Sequence, residues 1–534
     1  MANRLILCFG ALLFFNSCQE SPPKINLPNI IWLVAEDQSP EFFPMYGNST
    51  VSLPYLSDLA KEGVVFENAY SPVPVCAPAR SALISGLYPS SLGTHNMRTY
   101  NAYNPENQPS IGIPSYSPPV PKGVKMFTYY LRSMGYYTTN NAKEDYNFKK
   151  TAGAWDESSQ NAHWKNRAPN QPFFSVFNFG ITHESQIWKQ QNEPLLIAPE
   201  SVPIPPIFPE TETVRKDLAV NYSNLIRLDR KIGKVIEQLK AEGLYEKSII
   251  FFYADHGGPF PRYKRALYET GIKVPLIVKF PNGEMAGSRD KRFISFIDFA
   301  PTVLSLAGIK PPEIMQGKAF YGKYAAEKNS EFIFSTSDRF DEQKDRLRAV
   351  RFGDFKYIRN FNPQISNALP VSYRKQMPLM QNLNELWLAG KLNTDQKAWF
   401  KTPKPKEELY KLSEDPYELN NLAGIKKYQD TLYFFRNRMN QWIKETGDLG
   451  EIPEKKLLEQ WFPQGQAKQL EPVASKEISE KWVLNHPDSG ATLVWKSPQE
   501  THWSLYLSPL EVKNPIEVKA VRIGYSDSPI LTLD

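Results

Sequence analysis

Cysteine is nearly absent from this chain: three in 534 residues, and two of them, Cys8 and Cys18, fall within the first 18 positions. A disulfide framework is therefore excluded, since Cys76 has no partner in the rest of the chain. Histidine is also scarce, at six residues. No further Cys or His stands near Cys76 at the spacing of a zinc site. No apolar run is long enough to span a membrane; the segment "LILCFGALLFF" falls short of the ~20 residues needed. There is no polybasic tract, internal repeat or low-complexity stretch. The net charge of +6 comes from 63 basic and 57 acidic residues interspersed along the chain. That balance suits an anionic substrate weakly and gives no reason to expect a nucleic-acid partner.

What is present describes a globular enzyme-sized chain. Hydrophobic residues make up 41% and aromatics 13%, enough for a large core with smaller units attached. Many of the 45 prolines lie in connecting stretches such as "APESVPIPPIFPE", which read as long ordered loops. Residues 1–17 read as a secretory signal peptide: Arg4, then the apolar run, then small and polar residues. Cys18 follows "FFNS", which resembles a bacterial lipobox with Phe15 and Asn16 in place of the usual Leu and small residue. Lipidation there would make residues 18–28 a tether. The expectation is an exported protein, in the periplasm or at the cell surface, held to the outer membrane through Cys18.

From residue 29 onward the pattern alternates. "NIIWLVAEDQSP", "PFFSVFNFGITHES" and "IIFFYADHGG" are buried strands ending in Glu36-Asp37, His183 and Asp255-His256. Helices separate them, among them the long amphipathic "YSNLIRLDRKIGKVIEQLKAEG". A further helix is expected from Arg80 to Gly86, entered through Pro78. Alternation of this kind predicts an open α/β sheet with its ligand site at the strand carboxyl ends. Titratable residues at several strand ends point the same way. The catalytic domain is expected over 29–330, a smaller α+β subdomain over 331–450, a linker over 451–474 and a β-rich module over 475–534.

Cys76 on its own admits a thiolate nucleophile, a metal ligand or an inert buried thiol. Its surroundings narrow the choice. Cys76-Ala77-Pro78-Ala79-Arg80 followed by "SALISGLYP" resembles the Cys-x-Pro-x-Arg signature of the type I sulfatases. "LGTHNMR" is similar to a stretch in sulfatases related to heparan N-sulfatase, and "ELYKLSEDPYELNNLA" also recurs in the family. The resemblance covers about residues 29–424. It implies an alkaline-phosphatase-like sulfatase fold, with a central, mostly parallel sheet flanked by helices, a smaller C-terminal α+β subdomain and a β-rich tail. It also implies that a maturation enzyme oxidises Cys76 to formylglycine. The hydrated aldehyde is a geminal diol: one hydroxyl attacks sulfur, and loss of the second hydroxyl's proton releases the sulfate and restores the carbonyl.

The same resemblance assigns roles. Glu36, Asp37, Asp255 and His256, together with residue 76, would hold a divalent cation, with Ca²⁺ favoured by oxygen ligands. Glu36 departs from the usual Asp, and His256 stands where Asn is commoner. Lys143 and Lys264 would hold sulfate, and Arg80 would brace the residue-76 oxygens. His183 would be the general acid, since imidazole exchanges protons near neutral pH. Asp145 replaces a family histidine two places after Lys143, so His95 is expected to contact residue 76 or sulfate in its stead. His163, His486 and His502 are given no catalytic role. The expected activity is hydrolysis of a sulfate ester on a carbohydrate, from an algal or glycosaminoglycan polysaccharide. The rivals are a phosphate or phosphonate ester hydrolase using the same residues, and a carbohydrate-binding protein with a degraded site.

Overall fold

The structure is a computed structural model that describes residues 27–100, 112–328 and 330–534. The segment read as signal peptide and lipid-attachment site, Cys8 and Cys18 included, lies outside the described residues. Among the described residues no helix is long and apolar enough to cross a membrane.

The first strand, β1 (Asn29–Ala35), is apolar along its whole length because both faces are covered. Ile30, Trp32 and Val34 point into one core layer and Ile31, Leu33 and Ala35 into the other, following the two-residue period of a strand. β1 is the middle of a nine-stranded sheet. On one side it pairs in parallel with β5 (Phe173–Phe179), then β3 (Tyr137–Asn141) and β4 (Glu157–Ser158). On the other it pairs in parallel with β6 (Ser248–Ala254). Beyond β6 the sheet turns antiparallel through β8 (Leu276–Lys279) and β2 (Val64–Tyr70). β2 also carries β7 (Lys273–Val274) and, in parallel, β9 (Ser288–Ser295). The sheet is thus parallel where the sequence carries its titratable strand ends and mixed at one edge.

Helix Glu212–Ala241 covers one face. Thr211 caps it by accepting from the Val214 amide, and Leu218, Leu225, Leu228, Ile232, Ile236 and Leu239 form its buried stripe. Helices Cys76–Ser85 and Phe299–Leu306 cover the other face through Ala79, Ala82, Val303 and Leu304. Trp32 lies at the centre of that layer, ringed by Phe127, Phe174, Tyr253 and Phe299 at 5.1–5.9 Å between ring centres.

A second sheet follows as an antiparallel meander: β10 (Phe332–Phe340), β11 (Gln343–Phe352), β12 (Phe355–Asn360) and β13 (Glu407–Lys411). The β11–β12 turn carries Gly353-Asp354, with Gly353 at φ +55°. Helix Gln429–Thr446 lies on this sheet, with Trp442 stacked on Phe334 at 4.9 Å. β10 also docks on the segment before Cys76: the Thr336 amide donates to Pro72 C=O at 2.8 Å. Phe340, at the end of β10, joins Val75, Cys76 and Met97 in one apolar cluster. The C-terminal sheet therefore supplies part of the wall around Cys76.

The tail consists of the hairpin β14 (Ala474–Ile478) and β15 (Lys481–Asn485), then a sheet of β16 (Thr492–Lys496), β17 (Ser504–Leu505), β18 (Ile516–Val521) and β19 (Leu531–Leu533). It packs back on the catalytic region. The Arg522 guanidinium donates to Asp488 at 2.6 Å and to Val120 C=O at 3.2 Å, and that of Arg132 bonds His502 at 3.0 Å.

Candidate active site

β1 and β6 run side by side with Ala35 opposite Ala254. Both strands stop there, so Glu36-Asp37 and Asp255-His256 leave the sheet as neighbours. The backbone fixes the arrangement. The Asp255 amide donates to Ala35 C=O and the Gln38 amide to His256 C=O, each at 3.1 Å. The Asp37 amide donates to Asp255 Oδ1 at 3.2 Å.

Cys76 is the first residue of its helix, entered from an extended Val75. This corrects the expected start near Arg80. Pro78 falls in the first turn, where its missing N–H leaves no hydrogen bond unmade, so the helix begins before it. The helix N-terminus favours negative charge at residue 76. Cys76 Sγ lies 3.3 Å from His256 Nε2, 3.6 Å from Lys264 Nζ and 3.9 Å from Asp37 Oδ1. Burial opposes ionisation of the thiol, but Lys143 and Lys264 bring it down to about 6.

Lys264 is fully buried and serves three groups: Asp37 Oδ2 at 2.7 Å, Glu184 Oε1 at 3.1 Å and His183 Nε2 at 3.2 Å. Burial works against its charge, and Asp37, Cys76 and Glu184 outweigh it, raising its pKa well above the usual lysine value. Lys143, in the loop after β3, donates to Glu36 Oε2 at 2.8 Å and lies 3.7 Å from Asp145 Oδ2. Asp145, where the family carries histidine, thus helps hold Lys143. His183 follows β5, with Nδ1 2.9 Å from Ser185 Oγ.

Arg80 holds two side chains at the strand ends. Its Nε donates to Asp255 Oδ2 at 3.1 Å and its Nη1 to Asn178 Oδ1 at 2.7 Å. Its direct effect is to hold Asp255; no hydrogen bond joins it to residue 76. His95 is buried, its Nδ1 has no hydrogen-bond partner, and the charged side chains that act on it are Asp338, Arg348, Asp448 and Glu454. Cys76 is not among those side chains, and the loop carrying His95 is tied to the C-terminal sheet. There the Met97 amide donates to Arg339 C=O at 2.7 Å.

Two residues without a motif of their own complete the cluster. Glu184 accepts from Arg265 Nη1 at 2.8 Å and Nη2 at 2.9 Å, and its amide donates to Asp37 Oδ2 at 2.7 Å. Burial would raise the Glu184 pKa, but Arg265 and Lys264 hold it well below the carboxylate range. Arg265 in turn donates to Asp341 Oδ2 at 2.9 Å. Each is adjacent in sequence to a residue already singled out, yet their pairing spans 81 positions and carries no sequence signal.

The donor set fits a divalent cation. Asp37, Cys76, Asp255 and His256 are all buried and offer ligand atoms within 4.8 Å of one another; Glu36, Asp37, Cys76 and His183 form a second such group. Asp37 and Asp255 stay ionised. Burial opposes this, but Lys264 holds Asp37 well below the usual range, and His256 and Arg80 hold Asp255 at about 2. His256 Nδ1 lies 3.0 Å from Gly257 C=O, which leaves Nε2 facing Asp37 and Cys76.

A mixed α/β sheet, parallel at its centre, with Cys76 at a helix start facing acids at two adjoining strand ends, is an alkaline-phosphatase-like fold. The sulfatase family model matches residues 28–167 and 127–309, and the model for the C-terminal region of N-sulphoglucosamine sulphohydrolase matches residues 259–369. An ulvan-active sulfatase of Formosa agariphila is 40% identical, over 99% of this chain and 98% of its own. Human N-sulphoglucosamine sulphohydrolase is 24% identical, over 83% and 94%. The solved structure of BT4656 with D-glucosamine-2-N,6-O-disulfate shares the fold, with a TM-score of 0.58 at 16% identity, covering 80% of this chain and all of that one. The chain belongs to the sulfatase family and is a sulfuric ester hydrolase.

Proposed function

We propose that this sulfatase removes sulfate esters from a carbohydrate, a fragment of an algal or glycosaminoglycan polysaccharide, using formylglycine made from Cys76 and bound Ca²⁺. The observation that carries the reading is the position of Cys76 Sγ, between His256 Nε2 and Lys264 Nζ at the ends of β1 and β6. The names of the relatives support a carbohydrate substrate. A separate maturation enzyme, export and a lipid anchor at Cys18 belong to the same proposal.

Formylglycine at position 76 would supply a hydroxyl nucleophile, and a bound divalent cation would supply the charge that acidifies it. Asp37, Asp255 and His256 would hold the cation, with Glu36 as the fourth side chain. Arg80 keeps Asp255 aimed at that point. Lys264 and Lys143 both bring ammonium charge to bear on residue 76. They bind the anionic sulfate and act most strongly as negative charge builds on its oxygens. His183 stands beside Lys264 at the mouth, placed to hand a proton to the departing sugar oxygen. Val75, Met97 and Phe340 form an apolar wall that limits water around residue 76.

The test is sulfate release from ulvan and heparin oligosaccharides by protein from a host with the maturation enzyme, beside turnover of p-nitrophenyl phosphate. Sulfate release well above phosphate ester turnover supports the reading. The reverse order points to a phosphoryl hydrolase, and binding without release to a carbohydrate-binding protein.

A further inference from the structure

Arg98 stands at the mouth of this site, and among the described residues its guanidinium makes no hydrogen bond or ion pair. It follows Met97, which packs with Cys76 and Phe340. Its backbone sits at φ +55°, a left-handed conformation uncommon for a residue with a side chain. The guanidinium carbon lies 5.9 Å from the centre of the Tyr373 ring, at the outer range of a cation–π contact. That ring lies 6.2 Å from His183 and 5.2 Å from Trp188, centre to centre. Arg98, Tyr373 and Trp188 are all half-buried and so line one open wall beside the general acid.

The nearby acids are already engaged. Asp341 Oδ2 takes two nitrogens of Arg265, at 2.8 and 2.9 Å, and Asp145 lies 3.7 Å from Lys143. Among the described residues nothing accepts a hydrogen bond from the Arg98 guanidinium. Burial opposes its charge, and Asp341, Asp145 and Cys76 nevertheless keep it protonated. A half-buried guanidinium whose donors are unengaged among the described residues is a fork shaped for a planar or tetrahedral anion.

We infer that Arg98 is a specificity-determining residue that binds a second anionic group on the sugar chain, a carboxylate or a further sulfate, while Tyr373 and Trp188 line the sugar ring. This rests on the carbohydrate reading above. Lys143 and Lys264 hold the sulfate to be cleaved, and the scissile group alone does not need Arg98. The preferred substrate is therefore a sulfated sugar with a neighbouring negative charge.

The experiment compares matured wild type with Arg98→Gln and Arg98→Lys on three substrates: p-nitrophenyl sulfate, ulvan oligosaccharides, and the same oligosaccharides after reduction of their carboxylates to alcohols. Arg98→Gln is expected to lower kcat/KM on the native oligosaccharides about tenfold or more, through KM, with a far smaller loss on the aryl sulfate. Arg98→Lys should fall between, keeping charge without the fork, and it stands in if the Gln variant does not fold. If carboxyl reduction abolishes the difference between wild type and variant, the second group is a carboxylate; if the difference persists, it is a sulfate. Equal losses on all three substrates, or no loss on the native oligosaccharides, would overturn the inference. Wild type that cleaves the aryl sulfate and no oligosaccharide removes the carbohydrate reading itself, a separate outcome visible without any variant.

Discussion

Lys264 Nζ lies 2.7 Å from Asp37 Oδ2, joining the cation proposed to bind sulfate to an acid proposed to hold the metal, inside one buried cluster. Each holds the other ionised: burial penalises both charges, and their mutual attraction offsets it. Removing either partner therefore affects both chemistry and stability.

Lys264→Ala is expected to cut kcat by about 10²–10³, the scale of losing one preorganised donor to developing charge. It also takes the lysine cation from Asp37, which keeps the Glu184 amide and His256, so the stability cost should stay below the ~3–5 kcal/mol of a fully unpaired buried charge. Turnover on a sulfated oligosaccharide and urea unfolding of the same sample check both effects.

Glu184 acts through others. Its carboxylate ties Arg265 to Lys264, and its amide holds Asp37. Because its folded pKa is depressed, the stability it contributes is present above the unfolded value of about 4.3 and is lost as pH falls. Glu184→Gln should lower the melting temperature at pH 7 and flatten the decline below pH 5 relative to wild type. Thermal melts at a series of pH values measure this.

Calcium should raise the melting temperature of the metal-stripped protein. At a concentration a hundredfold above Kd the gain is about 2.7 kcal/mol. Asp37→Asn and Asp255→Asn should lose most of that response and the activity that Ca²⁺ restores after chelation. An identical response in those variants would place the cation elsewhere.

His95→Asn should behave as a stability change. The imidazole is buried among Asp338, Arg348, Asp448 and Glu454, so a loss of about 1–3 kcal/mol is expected. Turnover per folded molecule should fall far less than in Lys264→Ala. Comparing active-site titration with melting temperature separates the two effects.

Much of the site was legible in sequence because its residues sit at strand and helix ends, where a local pattern marks the position. "NIIWLVAED" and "IIFFYADH" place Asp37 and Asp255 at the ends of apolar runs, and the sheet then aligns them. The start of the helix at Cys76 was misplaced because Pro78 reads as an entry signal, although the whole first turn tolerates proline. In sequence, His95 is expected to contact residue 76 or sulfate in place of the histidine that Asp145 replaces. The loop carrying it is instead held by Arg339 of β10, a contact 242 positions away. Glu184, Arg265 and Arg98 share that limitation, since only the folded chain brings their partners together.

The proposed mechanism depends on formylglycine at residue 76. Peptide mass spectrometry on protein made in its native host tests it most directly. The expected result is an aldehyde in place of the Cys76 thiol in the active fraction. A fully unmodified thiol in protein that still releases sulfate would contradict the account.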